Sequence, residues 1–209
     1  MTGPVCHPEY EDWSDLPSSL VSDCLGRFSA MASAIRPITG VGMVGPAYTL
    51  QGVVGDNLSI HFALANVPAG SVLVIDAGGY EDRAVWGEVL AVAAEQQGIL
   101  GVVIDGSIRD RDGLTARRFP VYARGTSPAG PHKAGGGREQ VTVSCGGVPV
   151  SPGDLIVADG DGVVVVPHSR TREIHALASE RSALEQEWMN KIMSGMPSPE
   201  VLGLDRSKR

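Results

Sequence analysis

Arg109-Asp110-Arg111-Asp112 sets four charges of alternating sign just after the apolar run Gly101-Val-Val-Ile-Asp105-Gly106. Such a run reads either as a solvated turn with local ion pairs or as a working pair. In the second reading a carboxylate holds a divalent metal while an arginine polarises a substrate oxygen. Two neighbours favour the working pair. Gly87-Glu88 opens a stretch with helical spacing, and a helix start offers unpaired backbone N–H groups to a carboxylate or phosphate. The strand-like segment before it ends in Asp76, followed by Gly78-Gly79. Ligands of open α/β sheets bind in the crevice beyond the carboxyl ends of the strands. An anion cradle, a cation and carboxylates would then share one crevice, suited to a small carboxylate-bearing substrate.

Other polar clusters are less pointed. Gly55-Asp56-Asn57 with Ser59 and His61 could enter a site, but Asp56 or Asn57 reads more simply as the cap of a following helix. His132, His168 and His175 stand at unrelated spacings and read as surface or structural residues. No Gly-x-Ser-x-Gly, phosphate-loop lysine or dinucleotide glycine motif is present. Pro152-Gly153-Asp154 and Asp159-Gly160-Asp161-Gly162 read as turns, and Gly130–Gly137 as a glycine-rich loop or mobile flap.

The elements that must position these residues follow from apolar patterning. Ser71-Val-Leu-Val-Ile-Asp76 reads as a buried strand left abruptly at Ala77-Gly78-Gly79. Trp86–Gln97 reads as a helix ended by Gly98, and Gly101–Gly106 as a second buried strand. Together they predict a right-handed βαβ unit in a partly parallel sheet. Upstream, 1–13 reads as a loose segment, and helical spacing runs through Leu20, Cys24, Leu25 and Phe28 from a start at Ser14–Pro17. A strand is expected within Gly40–Val54 and a short helix over Asn57–Leu64. Downstream, Val121–Ala123, Gln140–Ser144, Leu155–Ala158 and Val163–Val166 read as short strands. A long amphipathic helix covers 170–195, with Ile174, Leu177, Leu184 and Trp188 near one face, and a tail covers 196–209, basic at Arg206–Arg209.

At 209 residues, 43% hydrophobic and 20% charged, the chain predicts one α/β domain with an ordinary core. A net charge of −7 lacks the basic footprint of a nucleic-acid binder, so an anionic substrate would need a local cation. Cys6, Cys24 and Cys145 show no metal or redox spacing and read as free thiols of a reducing compartment. No charged-then-apolar leader and no apolar run near the roughly 18 residues of a membrane span are present. A cytoplasmic protein without membrane contact is expected.

The stretch Gly87-Glu88-Val-Leu-Ala…Gly98…Gly101-Val-Val-Ile-Asp105-Gly106-Ser-Ile-Arg109-Asp110 resembles the regulator of ribonuclease activity A family, which includes 4-hydroxy-4-methyl-2-oxoglutarate aldolases. Gly45-Pro-Ala-Tyr-Thr49, Gly55-Asp56-Asn57, Asp76-Ala-Gly78-Gly79 and Pro152-Gly-Asp154…Asp159-Gly-Asp-Gly162-Val-Val-Val-Val-Pro167 extend the resemblance over roughly 40–168. It implies an α/β sandwich of the swivelling-domain type, assembled as homotrimers or hexamers with active sites between subunits. It implies a lyase using Mg2+ or Mn2+ that cleaves 4-hydroxy-2-oxo diacids to pyruvate and decarboxylates oxaloacetate. Asp110 would ligate the metal and Glu88 would act through its bound waters. Arg109 would meet the ketone oxygen as it becomes an enolate, and the backbone at Gly87, Val89 and Leu90 would hold the substrate carboxylate. Glu185 or Glu187 matches an acidic residue that a neighbouring subunit contributes in some members.

One departure stands out. Aldolase members carry an acid three residues after the aspartate; here that position is Gly113, and Asp112 stands one residue earlier. The ribonuclease-regulator branch has this spacing. Alternatives to the lyase are therefore a non-catalytic ribonuclease-binding regulator and a same-fold lyase or dehydratase with another substrate. A methyltransferase label also attached to the family lacks its nucleotide-binding glycine motif here.

Overall fold

The computed structural model describes residues 3–205; the basic Arg206–Arg209 segment lies outside them. In chain order the elements are β1 (Val5–Cys6), a 3-10 turn (Pro8–Trp13), α1 (Ser18–Cys24), β2 (Arg36–Pro37), β3 (Met43–Gln51), α2 (Leu58–Ala63), β4 (Val72–Trp86), α3 (Glu88–Gln96) and β5 (Gly101–Ile108). There follow α4 (Arg111–Arg117), β6 (Val121–Thr126), β7 (Arg138–Glu139), β8 (Val143–Cys145), β9 (Val148–Val150), β10 (Leu155–Ala158), β11 (Val163–Val166), α5 (Thr171–Met193) and α6 (Ser198–Val201).

The main sheet runs β11-β10-β3-β4-β5-β6-β2, with β1 and β7 paired at the two ends of β3. Its centre, β3 to β6, is parallel and takes the strands in sequence order. Each is linked to the next through one helix, α2, α3 or α4. Alternation along the strands then assigns the side chains. Leu50, Leu73, Ile75, Val102, Ile104, Val121 and Ala123 face the three helices, where they meet Ile60, Ala63, Leu90, Ala91, Ala94 and Leu114. Ala47, Val72, Val74, Val103 and Tyr122 face the β8–β9 hairpin and meet Val143, Cys145, Val148 and Val150. Burial on both faces explains why the central strands read as unbroken apolar runs. A third cluster packs α1 and α5 over β10 and β11, through Leu20, Val21, Ile174 and Ala178. The expected α/β class, βαβ unit and long C-terminal helix are all present.

Several local expectations are corrected. Of the segment 1–13, expected to be loose, residues 1 and 2 lie outside the described residues and the rest is anchored: Val5 and Cys6 pair with Met43 and Val44, and Trp13 is 3% exposed against His175 of α5. The first helix stops at Cys24, leaving Phe28 90% exposed. Its N-terminus is capped from across the chain, both oxygens of Asp159 accepting from the Ser18 N–H and Oγ–H at 2.7 Å. β4 does not end at the glycines. Its register with β5 breaks after Asp76, then resumes at Tyr80, Ala84 and Trp86, which carries the chain to the start of α3. α4, which the charged run had not suggested, follows Asp110 directly. All three cysteines are free, and no described helix is long and apolar enough to cross a membrane.

Candidate active site

The site is built where β4 and β5 deliver their last residues to α3 and α4. Trp86 is fully buried and stacks on Phe119 with centroids 6.2 Å apart, a burial worth about 4–6 kcal/mol. That anchor fixes the residue after it, Gly87, the N-cap of α3. Gly87 has an extended backbone, so its requirement is space: a Cβ would lie 2.6 Å from Asp110 Oδ2 and 3.0 Å from Arg109 Cγ. Any side chain there would push the Arg109–Asp110 pair off the helix start.

Asp110 is one of the few non-glycine residues with left-handed backbone (φ 60°, ψ 36°). Aspartate tolerates this conformation better than most residues. Although it occupies the N-cap position of α4, its carboxylate does not cap that helix. Oδ2 instead accepts the Glu88 N–H of α3 at 3.1 Å and lies 3.6 Å from Arg109 Nε. Oδ1 has no partner among the described residues. The next N–H groups of α3, at Val89 and Leu90, likewise have no acceptor there, and their dipoles favour an anion.

Gly87, Val89, Leu90, Arg109 and Asp110 line one cleft of about 350 Å³, together with Asn57, His61, Trp86, Gly130, Pro131 and Lys133. The residues expected to bind a substrate carboxylate and an enolate are thus brought together. Glu88 is not among the lining residues. Its Oε1 accepts from Arg117 Nε at 2.9 Å, Arg117 also reaching Glu95 at 3.0 Å. Its Oε2 rests on Gly113, where a Cβ would stand only 2.5 Å away. Asp112 is exposed in the first turn of α4. Glu185 and Glu187 pair within their own helix, with Arg181 and Lys191.

Sequence reasoning missed Lys133 and undervalued Asn57 and His61. Lys133 Nζ donates to Asn57 Oδ1 at 3.1 Å and lies 2.6 Å from His61 Nε2. Partial burial, then the neighbouring ammonium, holds His61 below the usual imidazole range; an ammonium can only donate, so Nε2 faces Lys133 as the acceptor. The loop carrying Lys133 is no free flap. Arg83 donates to the Gly130 carbonyl, the His132 N–H to Gly55 and the Asn57 N–H to His132, while the Ala134 and Gly135 N–H groups donate to the Asp56 carboxylate. Asp56 also receives the N–H of Leu58, the first residue of α2, at 2.9 Å, while the N-cap itself is Asn57, whose side chain makes no cap bond. Burial raises the Asp56 pKa, but the three backbone donors outweigh that and leave it below the ordinary carboxylate range. His132 and His168 are exposed, and His175 pairs with Asp12.

No group of three or more His, Cys, Asp or Glu side chains poised for a metal occurs among the described residues. A hard divalent ion held by one carboxylate, waters and a chelating substrate does not require such a group. The uncommitted Oδ1 of Asp110 fits that mode of binding.

The parallel centre of the sheet thus ends in a cleft lined by Arg109, Lys133 and the start of α3, a chemistry suited to a small anion. The chain belongs to the aldolase/RraA, or RraA-like, family, whose description matches residues 18–165. It is 41% identical over 169 residues, 80% of each chain, to a Halalkalibacterium halodurans protein provisionally named 4-hydroxy-4-methyl-2-oxoglutarate aldolase. Among solved structures it is similar to an uncharacterized protein from Pseudomonas syringae pv. tomato, with TM-score 0.81, 29% identity and coverage of 95% of this chain and 98% of that one. It is also similar to the RNA-processing inhibitor RraA from Thermus thermophilis, with TM-score 0.67, 30% identity and coverage of 73% and 93%.

Proposed function

We propose that the chain is a divalent-metal-dependent lyase releasing pyruvate from a small 2-oxo acid. The reaction is retro-aldol cleavage of a substrate like 4-hydroxy-4-methyl-2-oxoglutarate, decarboxylation of oxaloacetate, or both. The observation that carries the reading is Asp110. It stands in left-handed backbone, binds the α3 start through one oxygen, and leaves the other uncommitted beside Arg109. The provisional aldolase name of the relative supports the same class.

The N–H groups of Val89 and Leu90 hold the substrate carboxylate. Arg109 lies at the 2-oxo oxygen, where both reactions develop enolate charge, and a cation placed there acts mainly on the transition state. Asp110 would hold the ion, Mg2+ or Mn2+, which would supply Lewis-acid polarisation of the 2-oxo acid. Glu88, tied to Arg117 at the rim, acts through water. Val89 is 74% exposed although it lines the cleft, and α5 presents Leu177, Leu184, Met189 and Ile192 outward. Both features support closure by a neighbouring copy in a trimer or hexamer.

A second reading, a ribonuclease-binding regulator, draws on Gly113 and on the likeness to the Thermus RNA-processing inhibitor. Pyruvate release from oxaloacetate and from 4-hydroxy-4-methyl-2-oxoglutarate, with Mg2+ and with chelator, separates the two. Turnover of either substrate that chelator abolishes is the expected result. No turnover of either, alongside tight ribonuclease binding, would establish the regulator instead.

A further inference from the structure

Phe28 stands 90% exposed, and the chain on either side of it is fixed. Behind it, α1 closes through two successive left-handed residues, Gly26 (φ 76°) and Arg27 (φ 71°), a conformation an arginine rarely adopts. The Gly26 N–H donates to the Asp23 carbonyl at 3.2 Å and the Arg27 N–H to the Ser22 carbonyl at 2.9 Å. Arg27 Nε meets Asp23 Oδ1 at 2.7 Å. Ahead of Phe28, the Ser29 carbonyl accepts the Val165 N–H and the Met31 N–H donates to the Val163 carbonyl, both on β11. A single exposed apolar residue is ordinary. An aromatic ring whose backbone is bonded on both sides, however, cannot retract into its own core without breaking those bonds. Beside it lies a groove of about 420 Å³ between α1 and α5, with Leu177 and Leu184 in its apolar wall and Asp23, Arg27, Glu180 and Arg181 around them. Phe28 does not line this groove of its own chain. Both features sit at the β10–β11 end of the sheet, away from the cleft at β4 and β5.

We propose that this face pairs two copies of the chain about a two-fold axis, Phe28 of each entering the α1–α5 groove of the other. Charge selects a second copy as the occupant. The chain carries a net −7, so two copies repel over most of their surface, yet the two acids and two arginines of the groove cancel. Facing its own image, each rim meets both signs in equal number, whereas a uniformly charged peptide would gain nothing there. The area is also sufficient. Each phenyl ring removes about 150–250 Å² from water, and the groove walls that receive it lose a comparable area. Two reciprocal contacts thus supply about half or more of the roughly 1,200 Å² of a small stable interface. A two-fold contact is self-complementary and closed, so it pairs copies, or rings of copies, and cannot itself close a ring of three. It is therefore distinct from the closure of the cleft by a neighbouring copy, and it does not rest on the lyase reading.

The test is sedimentation equilibrium of the full chain at micromolar concentration, for wild type, Phe28→Asp and Leu184→Asp, each variant checked for a cooperative thermal transition. Wild type is expected to hold an even number of chains. Phe28→Asp, at a site too exposed to disturb the fold, should halve that number and weaken pairing by about 100-fold or more, since two aromatic anchors are lost at once. Leu184→Asp should halve it too, by spoiling the groove. An equimolar mixture of the two variants should regain paired species, because one intact ring then meets one intact groove. Wild type with an odd number of chains would overturn the proposal. So would Phe28→Asp at wild-type mass, or a mixture that pairs no better than its parts.

Discussion

Replacing Gly113 by alanine sets a Cβ 2.5 Å from Glu88 Oε2 and 2.8 Å from its Cδ, closer than real side chains approach. The atoms struck are the far end of a flexible chain, so the Glu88 carboxylate moves and the backbone does not. Two small terms then oppose each other. Glycine inside a helix costs about 1 kcal/mol relative to alanine, which the substitution recovers. The Glu88–Arg117 pair is lost, but its side chains are 42% and 35% exposed, so solvent screening leaves it a small contribution. Gly113→Ala is therefore expected to shift stability by between about 0 and +1 kcal/mol, raising Tm by at most about 4 °C. The coupling is read by a double-mutant cycle of Glu88→Gln and Arg117→Gln in denaturant melts. It should be a few tenths of a kcal/mol with Gly113 present and vanish in the Gly113→Ala background. Pyruvate release from oxaloacetate should fall in that background although stability does not. A Tm drop of more than about 4 °C, or an undiminished coupling, would refute this account of how Glu88 is held.

Asp56→Asn removes an ionised acceptor from the Leu58, Ala134 and Gly135 N–H groups and should cost about 1–3 kcal/mol. Because the folded-state pKa of Asp56 is depressed, its stabilisation is fully present above the ordinary value of about 3.9 and is lost as pH falls through the folded value. Urea melts from pH 6 down to 2 should therefore show a shallower acid limb in the variant. Arg124→Met strands Asp105, which is buried against Arg124 and also accepts the Gly146 N–H at 2.8 Å. A Tm loss of about 6–12 °C is expected, from about 3 kcal/mol at this chain length, and a loss under 2 °C would show that Asp105 needs no counter-ion.

Legibility from sequence tracked the range of the forces involved. β10 and β11 fall where their Leu-Ile-Val-Ala and Val-Val-Val-Val runs predict, since doubly buried strands announce themselves by composition. α4 was invisible because it starts in a charged run, contains Gly113 and buries only Leu114. The N-terminal segment looked loose because its anchor, Trp13, finds its partners on α5, some 160 residues away by the numbering of its neighbour His175. Arg109, Asp110 and Gly87 were readable because one βαβ unit brings them together over a short stretch of chain. Lys133, Asn57 and His61 meet only through the fold, across separations of 72 and 76 residues. Their one local sign, Asp56 ahead of a helix, pointed to a cap and not to a site. The same long-range bonds explain why the glycine-rich loop, read as a mobile flap, is tied down at Asp56 and Gly55.

The central claim is that Asp110 holds a divalent ion at a 2-oxo acid site, and Asp110→Asn tests it most directly. The amide oxygen can still accept the Glu88 N–H, so the α3–α4 junction is retained while the negative charge is removed. The measurement is the initial rate of pyruvate release from oxaloacetate across a Mg2+ or Mn2+ titration, for wild type and variant. The account predicts a wild-type rate that rises with metal and collapses in chelator, and a variant slower by at least about 100-fold at saturating metal. A variant within threefold of wild type, or a wild-type rate indifferent to chelator, would contradict it.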